Sequence, residues 1–304
     1  MDSMINESAT ARLSGSIGQW DQAATCLAAL AVTLQTGPET GEDGLASTAR
    51  EVMAAAGLGT ALTDFDRLPF SPEQLSAIAA SALLQGAALV RRSPQQSDGW
   101  AHLDDATLTA QGRASGAAVN LFLGFVVPHV DGLAERLARP DARMLDVGTG
   151  IGALGLGFAK AFPGLHVTGI DVMPRVLELA RESIDGSPAD SRVELRLEDV
   201  ADLVDESRYD LAWLPAPFVP EPALVAGVPR LVRALRPGGL LMVGHGDFAG
   251  SDLQNAITRF KTAFYGGTAL DAASAVRLLE DHGLTSVRTL ATPPGTPRIT
   301  VGSR

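Results

Sequence analysis

The sequence predicts an α/β protein with a doubly wound, mostly parallel sheet of seven strands, preceded by a mainly helical N-terminal region. Three observations predict this class. Short apolar strand patterns alternate with helical patterns from Ala142 onward. The preceding residues are rich in Ala and Leu, with little β-branched alternation. The turn between the last two strand patterns is too short for a parallel crossover, so the final strand should run antiparallel.

The N-terminal part predicts helices at Gln19–Gln35, Leu45–Ala56 and Pro72–Arg92. A longer helical region follows from Asp104 to about Leu137, interrupted near Pro128 because proline lacks the backbone N–H that a helix interior needs. We therefore predict a mainly helical domain at residues 1–140, acting as a lid or dimerisation domain, and an α/β domain at residues 141–304.

The α/β region contains seven strand patterns separated by helical ones. The predicted strands are RMLDVG, HVTGIDV, RVELRLEDV, YDLAWLPA, LLMVGHG, SVRTLAT and PRITVGS. Pro174 suits the first turn of one predicted helix, and Gly283 suits the end of another. The segment RPGG is expected to be a turn that leads into the fifth strand.

Composition excludes several classes of protein. The 304 residues carry 24 Lys and Arg against 35 Asp and Glu, a net charge of −11, which makes a polyanionic nucleic acid an unfavourable partner. Cys26 is the only cysteine, so neither an internal disulfide nor a thiolate zinc site is expected. We see no secretory pattern and no apolar run of the roughly 20 residues that span a membrane, and we expect a cytoplasmic protein without a membrane partner.

Three acidic residues follow three successive predicted strands. Asp146 precedes a glycine-rich loop, Asp171 ends the second strand, and Asp199 ends the third. Ligands of open parallel sheets bind beyond the carboxyl ends of the strands, where these carboxylates should meet. The glycine pattern alone also satisfies the dinucleotide fingerprint. Because Asp146 suits an ammonium or sulfonium better than a pyrophosphate, the pattern favours a cationic adenosyl compound.

The region from Ala142 to the C-terminus resembles the class I S-adenosylmethionine-dependent methyltransferases. LDVGTGIGALG is similar to the first motif of that family, GIDV to its second-strand acid, and LEDV to its adenine-binding segment. YDLAWLPAPF resembles its fourth-strand segment, and LVRALRPGGLLMVG the entry to its fifth strand. The resemblance implies S-adenosylmethionine as cofactor, a small-molecule substrate and an antiparallel last strand.

The resemblance also implies which residues bind the cofactor. Asp146 would reach the methionine ammonium, Asp171 the ribose hydroxyls and Asp199 the adenine amino group. The other expected cofactor-binding residues are Gly148, Thr149, Gly150, Gly152, Val172, Val200 and Leu214.

Each acid also has a structural alternative. Asp146 would then cap the turn that follows it, and Asp171 would be the N-cap of the next helix. Glu198 or Asp202 would replace Asp199 as the adenine-binding acid.

The fourth-strand segment LPAPF carries no side-chain acceptor for an amine, which favours oxygen or carbon as the methyl acceptor. His245 and Asp247, after the fifth strand, are the predicted catalytic residues, because imidazole titrates near neutrality and can take a proton. A structural histidine is the alternative. A metal site that also uses His282 stays open, but no metal is expected.

Phe218, Trp100 and Arg113 are the predicted substrate-binding residues. The ring of Phe218 offers a π face, Trp100 lies in a polar stretch that can face the substrate, and the guanidinium of Arg113 suits a carboxylate. Core packing is the alternative for Phe218, and a solvated helix face is the alternative for Trp100 and Arg113. The leading hypothesis is a small-molecule methyltransferase of secondary metabolism, with a homodimer as a further expectation. Three others stay open: another reaction of the same cofactor, a non-catalytic cofactor-binding protein and an NAD(P)-dependent oxidoreductase.

Overall fold

The computed structural model describes residues 2–36, 44–59, 70–91, 99–247, 252–293 and 296–304, with side chains from residue 12 onward. The chain separates into two compact units, Met1–Arg91 and Arg92–Arg304. This division lies well before the expected boundary at 140/141. The reason is packing: Phe122 and Val126 are buried in the same hydrophobic cluster as Met144 of the sheet.

The first unit consists of three helices. They are α1 (Asp2–Thr36), α2 (Gly44–Ala55) and α3 (Pro72–Arg91). Both α2 and α3 pack against α1, with Ala29, Ala49 and Met53 forming a small buried cluster. All three helices were predicted, although α1 begins at Asp2 instead of Gln19.

Helix α3 has 20 residues and contains an 18-residue window with a mean hydropathy of 1.2, which by length and composition would suffice to cross a membrane. A core helix of a globular domain has the same character, and α3 packs along α1 within its unit. The finding is therefore weak evidence for a span, and the absence of a membrane partner stays a prediction.

The second unit begins with helical segments that cover the sheet. They are α4 (Asp105–Gly116), α5 (Ala118–Leu121), a π-helical turn (Phe122–Val126), a 3₁₀ turn (Val127–His129) and α6 (Leu133–Leu137). Asp104 caps α4 by accepting a hydrogen bond from the backbone N–H of Thr107 at 2.8 Å. The expected interruption near Pro128 is present, since Pro128 lies in the 3₁₀ turn.

Seven strands form one sheet in the order β3-β2-β1-β4-β5-β7-β6. The strands are β1 (Arg143–Val147), β2 (His166–Asp171), β3 (Val193–Leu197), β4 (Tyr209–Pro215), β5 (Leu235–Gly244), β6 (Thr285–Thr289) and β7 (Ile299–Ser303). Strands β1 to β5 are parallel, and β7 runs antiparallel between β5 and β6. The predicted fold class is confirmed.

The RPGG segment differs from its prediction as a turn before the fifth strand. Residues 236–239 lie inside β5, where the pairing shifts between Tyr209↔Leu235 and Leu211↔Leu240. The strand therefore begins earlier and carries an irregularity at these residues, and Gly238 adopts a φ of 73° there.

Five further helices complete the second unit: α7 (Ala153–Ala161), α8 (Pro174–Ile184), α9 (Glu221–Ala234), α10 (Asp252–Tyr265) and α11 (Ala272–Asp281). Two hydrophobic clusters involve the sheet, one with Phe158 of α7 and the other with Leu231 of α9. Alternate residues of β1 divide between them, because successive side chains of a strand point to opposite faces.

A buried carboxylate lies where the parallel strands begin, at the end of the sheet remote from the glycine-rich loop that follows β1. Asp210, at the start of β4, is fully buried and forms ion pairs with Arg139 and, at 2.7 Å, with Arg236. The backbone N–H of Arg143 donates a further hydrogen bond to it at 2.9 Å. These partners join the segment before β1 to β4 and β5, far along each strand from the glycine loop.

Candidate cofactor and acceptor site

The glycine-rich loop after β1 leaves its backbone open. Gly148 and Gly150 have φ angles of 63° and 57°, which residues that carry a Cβ rarely adopt. No atom lies within 4 Å of the position that a Cβ would take at either residue. Thr149 between them is buried, and its N–H donates to the carbonyl of Ile170 at 3.0 Å. The loop is therefore fixed against β2 and exposes its main chain to a ligand.

Asp146 anchors this loop. Its side chain is only 2% exposed, and it accepts hydrogen bonds from the hydroxyl of Thr149 at 2.8 Å and from the backbone N–H of Gly155. Burial raises the pKa of Asp146 to about 7, and the charge of Asp171 adds to this. These contacts match the structural alternative for Asp146. A bound cation would favour its ionised form, and its contact with an ammonium stays a prediction.

Asp171 joins the glycine loop to the start of α8. Its two oxygens accept hydrogen bonds from the backbone N–H groups of Gly150 and Met173, each at 3.0 Å. Burial raises the pKa of this carboxyl. The N-cap residue of α8 is Met173, so Asp171 is not the cap. The next residue, Val172, is 60% exposed, which leaves an apolar side chain beside the carboxylate.

The third acid lies at the neighbouring strand end. The N–H of Glu198 donates to the carbonyl of Asp171 at 3.0 Å, which brings the ends of β3 and β2 together. Asp199 caps the 3₁₀ turn that follows, accepting from the N–H of Ala201 at 2.8 Å. Glu198 instead lies 3.8 Å from the guanidinium of Arg196. The side chain of Val200 is buried against Gly227, so only its main chain remains for a ligand.

These observations test whether the site fits S-adenosylmethionine. The open glycine loop, the carboxylates of Asp146 and Asp171, and the exposed side chain of Val172 lie at the carboxyl ends of two neighbouring parallel strands. A ligand that is positively charged at one end and carries a ribose diol complements this donor and acceptor set. The residues present therefore fit the cofactor implied by the sequence.

Leu214, at the end of β4, is fully buried in the cluster that includes α9. The neighbouring Trp213 packs edge-on against Phe122 with ring centroids 4.9 Å apart. Leu214 is thus a core residue in this structure, and its contact with the methyl donor stays a prediction.

Helix α4 lies directly on the glycine loop. A Cβ built at Gly112 would meet Cγ1 of Ile151, in the loop, at 2.3 Å. A Cβ at Gly116 would meet that of Ala153 at 3.0 Å. The sequence signal for this seam was two glycines four residues apart in a predicted helix, and it was missed. Arg113, between them, is exposed, so its side chain lies on the surface of α4.

His245 and Asp247 do not form an open acid/base pair. His245 is fully buried, and its Nε2 lies 3.1 Å from Oγ1 of Thr300 on β7. Burial lowers the pKa of His245 to about 4, so the ring is neutral at pH 7. Asp247 pairs with Arg298 at 3.2 Å. These contacts match the structural alternative, and the catalytic role of both residues stays a prediction.

Three aromatic residues meet just beyond β4. Trp100 stacks on Tyr265 at the end of α10, with ring centroids 4.1 Å apart and an interplanar angle of 15°. The same indole meets the ring of Phe218 edge-on at 5.4 Å. The sequence predicted Trp100 and Phe218 as substrate-binding residues and missed Tyr265, for which it offered no spacing signal. The structure brings Trp100 and Phe218 together but leaves Arg113 outside this cluster.

The central part of the sheet unit is similar in sequence to known proteins. The family model of the methyltransferase domain matches residues 144–239, which contain the glycine loop and all three acids. This chain contains a methyltransferase domain. This match supports the expected resemblance to the class I S-adenosylmethionine-dependent methyltransferases.

Two curated relatives share this methyltransferase domain but differ in name. The chain is 30% identical over 121 residues to a release factor glutamine methyltransferase of Rhodopirellula baltica, covering 39% of this chain and 40% of the relative. It is 32% identical over 161 residues to a ubiquinone biosynthesis O-methyltransferase of Xylella fastidiosa, covering 49% and 55%. The chain therefore spans about half the length of these relatives, and their acceptors are of different kinds.

Among solved structures, human N-acetylserotonin methyltransferase in complex with SAM superposes with a TM-score of 0.66 at 14% identity, over 97% of each chain. This likeness shows that the fold of the methyltransferase domain and of the helices before it is shared. At this identity, it does not identify the acceptor.

Among the residues that the structure describes, no group of three or more His, Cys, Asp or Glu side chains is arranged to hold a metal ion. His282, the third residue of the metal alternative, instead lies with its Nδ1 2.8 Å from the carbonyl of Leu278 on its own helix.

Proposed function

We propose that this protein transfers a methyl group from S-adenosylmethionine to a small-molecule acceptor. The observation that carries the proposal is the open backbone at Gly148 and Gly150 beside Asp146 and Asp171, within a sheet whose last strand is reversed. The sulfonium of the bound cofactor supplies an activated methyl group. The residues of the chain bind and orient it and exclude water from the reacting centre.

We further propose an acceptor oxygen or carbon, without a nucleic-acid substrate. The end of β4 carries Leu214, Pro215 and Ala216, none of which accepts a hydrogen bond from an amine through its side chain. The net charge of −11 disfavours polyanions. A role in secondary metabolism and a cytoplasmic location are parts of the same proposal. Mass spectrometry of methylated products and cell fractionation would test them.

The first experiment is calorimetric titration with S-adenosylmethionine, S-adenosylhomocysteine and NADH. We expect both adenosyl compounds to bind and NADH not to bind. Asp171→Ala should weaken binding at least tenfold because the carboxylate would contact the ribose and also hold Gly150. Asp185→Ala, which removes an exposed acid in the same unit, is the matched control. Binding of NADH alone would refute the proposal.

Turnover separates the enzyme from a cofactor-binding protein. The protein would be incubated with S-adenosylmethionine labelled in its methyl group and a panel of hydroxylated and carbon-acid small molecules. We expect label to appear in at least one acceptor. Binding without transfer across the panel would favour the non-catalytic alternative.

We also propose that the first unit forms a homodimer through α1 and α3. Leu13, Ile17 and Trp20 form an exposed apolar stripe on α1. Trp20 and Val90 also line an apolar groove of about 670 Å³ within this unit. Light scattering should give a dimer for the wild type and a monomer for Trp20→Glu. A monomeric wild type at micromolar concentration would refute this part.

A further inference from the structure

Two buried polar atoms in the aromatic cluster have no hydrogen-bond partner among the described residues. They are Nε1 of Trp100 and the hydroxyl oxygen of Tyr265. Buried N–H and O–H groups are nearly always hydrogen-bonded, since an unpaired one loses its water without compensation. Two such atoms on stacked rings, 4.1 Å apart between centroids, indicate a partner that the described residues do not supply.

The cluster is placed where an acceptor has to sit. Phe218, which meets Trp100 edge-on, follows β4 directly and is 41% exposed. In open α/β sheets, the ligands bind beyond the carboxyl ends of the strands. The cofactor residues of β1 and β2 lie along the same edge, because these strands are parallel to β4.

The segment carrying Tyr265 is fixed to the end of β4. A Cβ at Gly267 would lie 1.8 Å from the carbonyl oxygen of Pro217, so only glycine allows this approach. Thr268 donates its backbone N–H to Ala216 at 3.0 Å and its hydroxyl to Val219 at 2.7 Å. Gly99 packs against the backbone of Tyr265 in the same way. The two polar atoms are therefore held in place by closely packed backbone, which lowers the entropic cost of ordering them when a ligand binds.

We infer that Trp100 and Tyr265 form the acceptor subsite of the methyltransferase domain and take an apolar molecule that carries a hydroxyl or carbonyl oxygen. The indole N–H is a donor only, so its partner has to offer an acceptor atom. The Tyr265 hydroxyl, which is also buried and unpaired among the described residues, can donate a second hydrogen bond. Phe218 and Pro217 supply the apolar contact. This inference rests on the proposed function and defines the chemical class of its acceptor.

Tyr265→Phe tests the inference, with Tyr209→Phe as the matched control. The chain has two tyrosines, and the hydroxyl of Tyr209 donates to Asp205 at 2.6 Å. Removing that satisfied hydroxyl should lower the Tm. Removing the unpaired one of Tyr265 should leave the Tm unchanged or raise it, because a desolvated group without a partner is lost.

Binding is measured by equilibrium dialysis in the presence of S-adenosylhomocysteine, with 2-naphthol and naphthalene as probes. We expect Tyr265→Phe and Trp100→Phe each to weaken 2-naphthol binding about tenfold, since a buried hydrogen bond is lost. Naphthalene binding should change less than twofold in Tyr265→Phe. Tyr209→Phe should bind both probes as the wild type does.

Two results would overturn the inference: a Tm loss in Tyr265→Phe as large as that in Tyr209→Phe, or 2-naphthol affinity that is absent or unchanged across the variants. If S-adenosylhomocysteine still binds in that case, the proposed function stands and only the subsite is wrong. Failure of the wild type to bind S-adenosylhomocysteine would instead refute the proposed function.

Discussion

Replacing Gly112 by alanine should push the glycine loop out of place. The new Cβ would lie 2.3 Å from Cγ1 and 2.8 Å from Cδ1 of Ile151, against the roughly 3.5–4.0 Å of a normal carbon contact. Ile151 is buried, so it has to move by about 1 Å together with the loop. Overpacking of this kind costs roughly 1–3 kcal/mol. The gain from alanine in a helix offsets about 0.5–1 kcal/mol of that cost.

We therefore expect Gly112→Ala to lower the free energy of unfolding by about 1 kcal/mol and to weaken S-adenosylhomocysteine binding about tenfold, equivalent to ~1.4 kcal/mol. Urea unfolding and calorimetry measure the two effects. Gly124→Ala is the control, since this exposed glycine has no atom within 4 Å of its Cβ position. It should be neutral or slightly stabilising and should leave the affinity unchanged.

A double-mutant cycle with Ile151→Ala locates the cause. Removing the Ile151 side chain relieves the clash, so Gly112→Ala should cost less in that background than alone, giving a favourable coupling energy. If Gly112→Ala is as harmless as Gly124→Ala, or if the two changes are strictly additive, then α4 does not press on the glycine loop and the reasoning fails.

Three further predictions concern buried titratable groups. Because the pKa of Asp146 is raised to about 7, binding of S-adenosylmethionine should release a proton below that pH. The affinity for S-adenosylmethionine should fall by up to about tenfold for each pH unit that the pH is lowered below 7. Calorimetry at pH 6 in two buffers of different ionisation enthalpy would measure the proton release, and titrations at successive pH values would measure the loss of affinity. The pKa of His245 is lowered from 6.5 to about 4 in the folded protein, so between these values the unfolded chain binds a proton that the folded protein does not. The free energy of unfolding should therefore fall by roughly 3 kcal/mol as the pH is lowered from 6.5 towards 4. His245→Asn should flatten that slope in pH-dependent urea melts, and an unchanged slope would assign it to other groups. Asp210→Asn should cost about 3 kcal/mol of unfolding free energy because it removes the buried partner of Arg139 and Arg236; a loss below ~1 kcal/mol would contradict this.

The sequence by itself determined the alternation of strands and helices after Ala142 and the antiparallel last strand. Both follow from local properties: side-chain periodicity distinguishes strand from helix, and a short connection cannot make a parallel crossover. It also located Asp171 and the glycine loop, because parallel strands bring their carboxyl ends to one edge. These features need only neighbouring residues and the rules of sheet connection.

Other features were decided by contacts between distant parts of the chain. His245 follows a strand and resembles a loop histidine in sequence, but Thr300 on β7, 55 residues away, covers it. Tyr265 carries no local signal, and only its approach to Trp100 gives its hydroxyl a role.

The division of the chain was decided by packing in the same way. Phe122 packs edge-on against Phe158 of α7, with ring centroids 5.4 Å apart, so the helices before β1 belong to the sheet unit. The sequence contains periodicity, which specifies elements and their faces. Only the tertiary structure specifies which faces meet, because burial depends on residues that lie far apart along the chain.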